Sequence, residues 1–265
     1  MVRDPCLRSA TSKNFMREWI TGRNPVYEVL RARRRQPFQL KLAQGIQEKG
    51  RIEEIKRLCN QRKVPVETVQ RSHLDTYGEG HQGIALETNG YPYSSLEDIL
   101  VLANQKKEAA WILILDLIQD PQNLGTLLRT AEIVGVHGIL LPLRQAATVT
   151  PAVVNASSGA SEHLLIAQEN LAQAIAHLKE KDLWIVGLDG AVTSQLPNEI
   201  RLDGPLALVV GNEGQGMRAL VRDSCDFLLR LPMRGQIESL NAAVAGSIAL
   251  YLAWQARGFV ITENH

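Results

Sequence analysis

From Ala109 onward, short and nearly continuous apolar runs alternate with helical segments, and no other feature of the sequence restricts the fold as much. The runs are Trp111–Leu115, Gly138–Leu141, His163–Ile166, Trp184–Leu188, Leu206–Val210 and Phe227–Leu231. A strand wetted on one face alternates polar and apolar residues, whereas a parallel strand buried on both faces reads as an unbroken apolar run. The spacing predicts helices over Asn123–Val134, where Leu124, Leu127, Leu128 and Ala131 share a face, and over Leu171–Glu180 and Ser239–Arg257. The expected fold class is therefore α/β, a parallel sheet with helices on both faces. Ligands of such sheets gather beyond the carboxyl ends of the strands. That points to the loops after Leu115, Leu188, Val210 and Leu231.

The first third of the chain reads differently. Gly22-Arg23-Asn24-Pro25 opens a helix with proline in its first turn, and Val26, Val29 and Leu30 form its apolar face. A strand is expected over Phe38–Ala43, a helix over Arg51–Arg62, and strands over Pro65–Val69 and Gly83–Glu87. The chain thus divides into a flexible tail (1–18), a small α/β domain (19–92), a linker with a helix over Ser95–Asn104 (93–108), and the larger domain (109–260).

Charge separates the same regions. Residues 1–71 hold 17 Lys and Arg against 7 Asp and Glu, a balance of +10, and residues 72–265 hold 12 against 21, a balance of −9. A basic module joined to an acidic one suggests a polyanionic partner, with nucleic acid the first to consider. Arg23, Asn24, Arg31, Arg33, Arg34 and Arg35 are the candidate nucleic-acid contacts, and a solvated helix end is the competing explanation for the last four.

Other classes find little support. No apolar run approaches the ~18–20 residues of a membrane span. No apolar stretch follows Arg3 and Arg8 as a secretory signal requires. Cys6, Cys59 and Cys225 are scattered, which suits a reducing cytoplasm better than a disulfide scaffold. The histidines (73, 81, 137, 163, 177 and 265) lack metal-ligand spacing, so no metal is expected, and most read as surface or strand-edge residues. Gly214-x-Gly216-x-x-Ala219 satisfies a dinucleotide fingerprint, with Glu238 as its acidic partner, but it comes too late in its domain.

Three strand-end loops are crowded with glycine and polar residues. The first holds Asn123-Leu124-Gly125-Thr126-Leu127-Leu128-Arg129, the second Gly211-Asn212-Glu213-Gly214-Gln215-Gly216, and the third Leu231-Pro232-Met233 followed by Ser239-Leu240-Asn241. Taken in order, they resemble the three motifs of the SpoU (TrmH) family of SPOUT RNA methyltransferases. The Gly22-Arg23-Asn24-Pro25 opening and His81-Gln82-Gly83 resemble its RlmB-type branch, the 23S ribosomal RNA guanosine 2′-O-methyltransferases.

The resemblance implies a C-terminal trefoil knot, a homodimer, and bent S-adenosylmethionine held by Leu188, Asp189, Gly190, Gly211, Asn212, Gly214, Gly216, Leu231, Met233 and Leu240. It implies catalytic roles for Asn123, Arg129, Glu213, Ser239 and Asn241. Directional hydrogen bonds from these residues suit the orienting of a ribose. Relatives suggest Arg129 as general base. Because a guanidinium rarely gives up its proton, clamping an RNA phosphate is the favoured role and the base its rival. Two other readings stay open: transfer RNA as substrate, and an RNA-binding assembly factor without turnover.

Overall fold

Two sheets organise the chain. The structure is a computed structural model describing residues 17–144, 147–237 and 239–260. Most of the expected tail, together with Cys6, Glu238 and His265, lies outside the described residues.

The smaller sheet is built from β1 (Arg17–Thr21), β2 (Pro37–Ala43), β3 (Val66–Val69) and β4 (Ile84–Asn89), in the order β1-β4-β2-β3. β4 runs antiparallel to β1 and β2, while β2 and β3 are parallel. One face of this sheet (Ile20, Leu40, Leu42, Ile84, Leu86) buries against α1 (Arg23–Ala32) and α2 (Arg51–Gln61). A short α3 (Arg71–Leu74) covers part of the other face. β1 begins at Arg17, inside the segment expected as tail, because pairing with β4 overrides its mixed local pattern.

The expected linker carries α4 (Leu96–Lys106), started by a capping box in which Ser95 and Asp98 satisfy each other's backbone amides. It is packed structure: Ile99 is buried, and a Cβ on Gly138 would lie 2.4 Å from it.

The larger sheet follows. Its strands are β5 (Trp111–Leu115), β6 (Gly138–Pro142), β7 (Leu165–Glu169), β8 (Trp184–Leu188), β9 (Leu206–Val210) and β10 (Phe227–Leu229). They are all parallel, in the order β10-β8-β9-β5-β6-β7. Alternate strand residues separate into two apolar layers. Leu113, Leu115, Val186, Leu208 and Val210 meet α5 (Pro121–Ile133), α6 (Pro151–Ala156) and α9 (Ala242–Ala256). Ile112, Ile114, Ile185, Ala207 and Val209 meet α4, α7 (Leu171–Glu180) and α8 (Ala219–Asp223). Several expected boundaries shift: α5 starts two residues earlier, at Pro121, and β10 ends at Leu229, short of Leu231. A 3-10 turn over Ala160–His163 delays β7, and Asn241 caps α9, so Ser239 and Leu240 belong to the preceding loop.

Ion pairs join the two sheets' domains and correct part of the charge reading. Arg35 is buried, with Nε donating to Glu162 at 3.0 Å and Nη1 to Glu18 at 2.8 Å. Burial works against its charge, but Glu162 and Glu18 outweigh that and hold the guanidinium above its ordinary value. Arg34 donates to Pro92 O, to Leu164 O, to the Ser94 hydroxyl and to the Tyr91 hydroxyl. Both side chains are committed internally, and neither is offered to RNA. Arg31 pairs with Glu28 at the surface, and Arg33 is exposed at the left-handed C-cap of α1. Nor are the histidines all peripheral. His81 and His137 are buried, the latter accepting from Trp111 N and facing Glu108.

Removal of Glu162 leaves the buried Arg35 with one carboxylate, Glu18, beside the Asn89 carbonyl, and a half-broken buried pair is costly. Glu162→Ala should lower the unfolding free energy by about 3–5 kcal/mol, and Arg35→Met in the same chain should restore part of it. Urea unfolding of the three chains measures this. Equal stability of Glu162→Ala and the parent would show that the pair contributes nothing.

Candidate active site

A cavity of about 390 Å³ opens beyond the carboxyl ends of β8, β9 and β10. Leu188, Asp189 and Gly190 form one wall, the 211–217 loop a second, and Leu231, Met233, Ser239 and Leu240 a third. All ten residues expected to hold a cofactor line it. Val210, Met217, Arg222, Leu229, Ala242 and Ala245 line it as well. As core or helix residues, these six belong to none of the three motifs.

The second wall is folded tightly. Asn212 and Gly216 exchange backbone hydrogen bonds, and Asn212 Oδ1 accepts from Gly214 N at 2.9 Å. A Cβ on Gly211 would lie 2.3 Å from the Gly216 carbonyl carbon, so that position admits only glycine. The five-residue α8 that follows is not the long helix of a dinucleotide fold.

Two ion pairs brace the loops, and sequence reasoning misses both. Asp116, buried at the end of β5, accepts from Arg218 N and Nε at 2.8 Å and pairs with its Nη2 at 2.7 Å. Asp189 accepts from Arg222 Nε at 2.6 Å and from Ala191 N at 2.7 Å. Burial would raise the Asp189 carboxyl, but these donors and the Ser194 hydroxyl hold it below its ordinary value. The only sequence signal for either is a carboxylate directly after an apolar run.

At the mouth, three of the expected catalytic residues meet. Asn241 Oδ1 accepts from Ala243 N and Val244 N, the N-cap of α9. Its amide nitrogen must then face outward, and it donates to Asn123 Oδ1 and Glu213 Oε2, each at 3.0 Å. With its oxygen used, Asn123 keeps its own amide nitrogen as a donor, and Glu213 keeps Oε1 as an acceptor. Ser239 lines the cavity beside them. Arg129 stands apart. It lies about 9 Å further along α5 by helical rise, exposed, with Nη1 donating to the Ser158 hydroxyl at 3.3 Å. Gly125, the central glycine of that motif, serves packing, since a Cβ there would lie 2.4 Å from Ala156 Cβ.

Known proteins resemble the chain in sequence and in fold. Residues 110–251 match the SpoU rRNA Methylase family, and residues 19–94 match the RNA 2′-O ribose methyltransferase substrate binding family. The chain is 39% identical over 244 residues to YacO of Bacillus subtilis, assigned to the TrmH family of tRNA/rRNA methyltransferases, covering 91% of this chain and 96% of that one. The chain belongs to the SpoU family. It is an RNA 2′-O-ribose methyltransferase that depends on S-adenosylmethionine.

Solved structures share the fold. The SpoU methyltransferase AviRb from Streptomyces viridochromogenes, in complex with AdoMet, has a TM-score of 0.76 at 20% identity over 92% of both chains. An AdoMet-bound rRNA methyltransferase from Sinorhizobium meliloti has a TM-score of 0.72 at 22% identity, covering 93% of this chain and 88% of that one. The TrmH/SpoU tRNA modifying enzyme of A. aeolicus matches over only 60% of this chain and 85% of its own, with a TM-score of 0.52 at 26% identity.

Asn123→Ala should fold normally yet lower methyl transfer about a hundredfold, as loss of an aligned donor does elsewhere. Asn241→Ala should lose the same activity and, with the cap, about 1 kcal/mol of stability. Single-turnover methylation and urea titration separate the two effects. Full activity in Asn123→Ala would remove it from the site.

Proposed function

We propose that this enzyme methylates the ribose 2′-hydroxyl of a guanosine in large-subunit (23S) ribosomal RNA, the RlmB type of reaction, in the cytoplasm and as a homodimer. The meeting of Asn123, Glu213 and Asn241 beside the glycine-lined cavity carries the reading. The cavity suits the cofactor: main-chain groups of glycine loops accept a flat base, and the carboxylates of Asp189 and Glu213 suit hydroxyl groups and positive charge. Leu188, Gly190, Gly211, Asn212, Gly214, Gly216, Leu231, Met233 and Leu240 complete its binding set. The same reading includes a trefoil knot in the segment after β9, and a division into an RNA-binding unit (19–92) and a catalytic unit (109–260).

S-adenosylmethionine, when bound, supplies an electrophilic methyl group on a sulfonium. The residues of the chain must aim the hydroxyl oxygen at that carbon and receive its proton. Asn123 Nδ2 and Ser239 orient the ribose, and Glu213 Oε1 accepts from a ribose hydroxyl. Arg129, exposed beyond this cluster, clamps a neighbouring phosphate and offsets developing negative charge. Arg23, Asn24, Arg31 and Arg33 contact RNA outside the site.

Ribosomal RNA is favoured because the S. meliloti rRNA methyltransferase matches across both domains, whereas the A. aeolicus tRNA modifying enzyme matches over 60% of the chain. The homodimer is supported by α9, whose buried face is backed by exposed Val244, Ile248 and Tyr251 at i, i+4 and i+7. A helix apolar all round belongs in an interior.

Incubation with protein-free large-subunit RNA and with bulk transfer RNA, followed by mapping of ribose methylation, tests the substrate. Methylation of large-subunit RNA alone is expected, and modification confined to transfer RNA would overturn it. In sedimentation the chain should run as a dimer, and Ile248→Asp should shift it to monomer. A monomeric parent at micromolar concentration would refute the interface.

A further inference from the structure

The two short motifs flanking the small domain, Gly22-Arg23-Asn24-Pro25 and His81-Gln82-Gly83, are far apart in sequence and meet in space. Arg23 N donates to Gln82 Oε1 at 3.1 Å. Gln82 is held in a left-handed conformation (φ 53°), which an L-residue adopts only under constraint. The constraint is His81. It is buried, its Nδ1 accepts from Gly83 N at 2.9 Å, and its Nε2 therefore carries the proton that faces Asp75 Oδ1 at 2.9 Å.

The turn fixed in this way forms one side of a cavity of about 250 Å³. Arg23, Lys49, Arg71, Gln44, Gln47 and Gln82 line it, and no carboxylate does. Arg23, Lys49 and Arg71 have exposed side chains and no ion pair among the described residues, unlike Arg17, Arg31, Arg35, Arg51 and Lys56 of the same domain. The cavity lies beyond the carboxyl ends of β2 and β3, the one parallel pair of this sheet, where an open α/β sheet receives ligands. Three unneutralised cations converging with side-chain amides on one concavity suit a phosphate and the polar edges of its nucleotide.

We propose that this cavity is an RNA subsite: it binds one phosphodiester of the substrate with the nucleotide attached to it, as single-stranded or looped RNA presents them. The proposal rests on the RNA methyltransferase reading and assigns its substrate grip to Arg23, Lys49 and Arg71, away from the arginine run that ends α1. Arg23 and Arg71 hold the phosphate, Lys49 adds field, and the glutamines meet polar groups of the sugar or base. The fixed turn at Gln82 keeps the concavity open before RNA arrives, which lowers the ordering cost of binding.

The test uses the full chain and large-subunit RNA, with binding read by filter retention over a series of salt concentrations. Lys49→Gln with Arg71→Gln should weaken binding roughly tenfold or more, as loss of charged hydrogen bonds does. It should also make the slope of log affinity against log salt shallower by about 0.7 for each phosphate left unneutralised. Arg57→Gln with Lys63→Gln removes the same charge from exposed positions outside the cavity and should cost far less. Equal losses in the two double variants would overturn the subsite in favour of diffuse attraction, and so would parent-like binding by the first. A parent chain that binds and methylates no RNA would overturn the broader reading as well, which distinguishes the two failures.

Discussion

The obligation of α9 to be capped governs the candidate site. Four amides at a helix start have no partner within the helix, and Asn241 supplies its oxygen to two of them. Once that oxygen is committed, the amide nitrogen has one direction left, toward Asn123 and Glu213. One backbone requirement therefore orients three side chains, from the first turn of α5, the loop after β9 and the cap of α9. It also explains why the motif ends on asparagine. Serine or aspartate caps a helix equally well, but neither presents an amide nitrogen on its far side.

The walls of the cavity follow the same logic. The loops after β5, β8 and β9 each carry a residue whose side chain holds a neighbouring segment: Asp116 on Arg218, Asp189 on Arg222 of α8, and Asn212 on Leu117 O at 3.1 Å. With side chains used to brace loops, much of the cavity is left to backbone groups. Such a wall binds by shape and by directional main-chain donors and acceptors, which suits an uncharged nucleoside.

Much of this is legible in the sequence, and the exceptions have physical causes. Three strands, Trp111–Leu115, Trp184–Leu188 and Leu206–Val210, have the expected limits, because strands buried on both faces end where the apolar run ends. β1 escapes notice because Arg17-Glu18-Trp19 carries no periodic signal and depends on its partner strand. The ten cavity residues stand out because loops that approach a ligand need glycine and amides, which contrast with apolar strands. Arg34 and Arg35 mislead for a deeper reason. Composition counts charges but does not say that Glu162, 127 residues away, has claimed Arg35, or that carbonyls and hydroxyls have claimed Arg34. The basic balance of the small domain is real, yet part of it is neutralised inside the molecule.

That internal use bears on how the two domains act together. The segment after α6 holds the small domain through Glu162 and His163, which pair with Arg35 and with Glu28 of α1. The same segment touches Arg129 through Ser158. Gly159 lies between them, and a Cβ there would come within 2.6 Å of Glu28 Cβ, so the contact has no slack. RNA held on the small domain is consequently held at a fixed distance from Arg129 and from the Asn123–Asn241 pair. A flexible tether would let any polyanion reach the candidate site. A buried, hydrogen-bonded joint instead fixes the separation of the small sheet from the candidate site, so a ligand that touches both has to span that separation with its own shape.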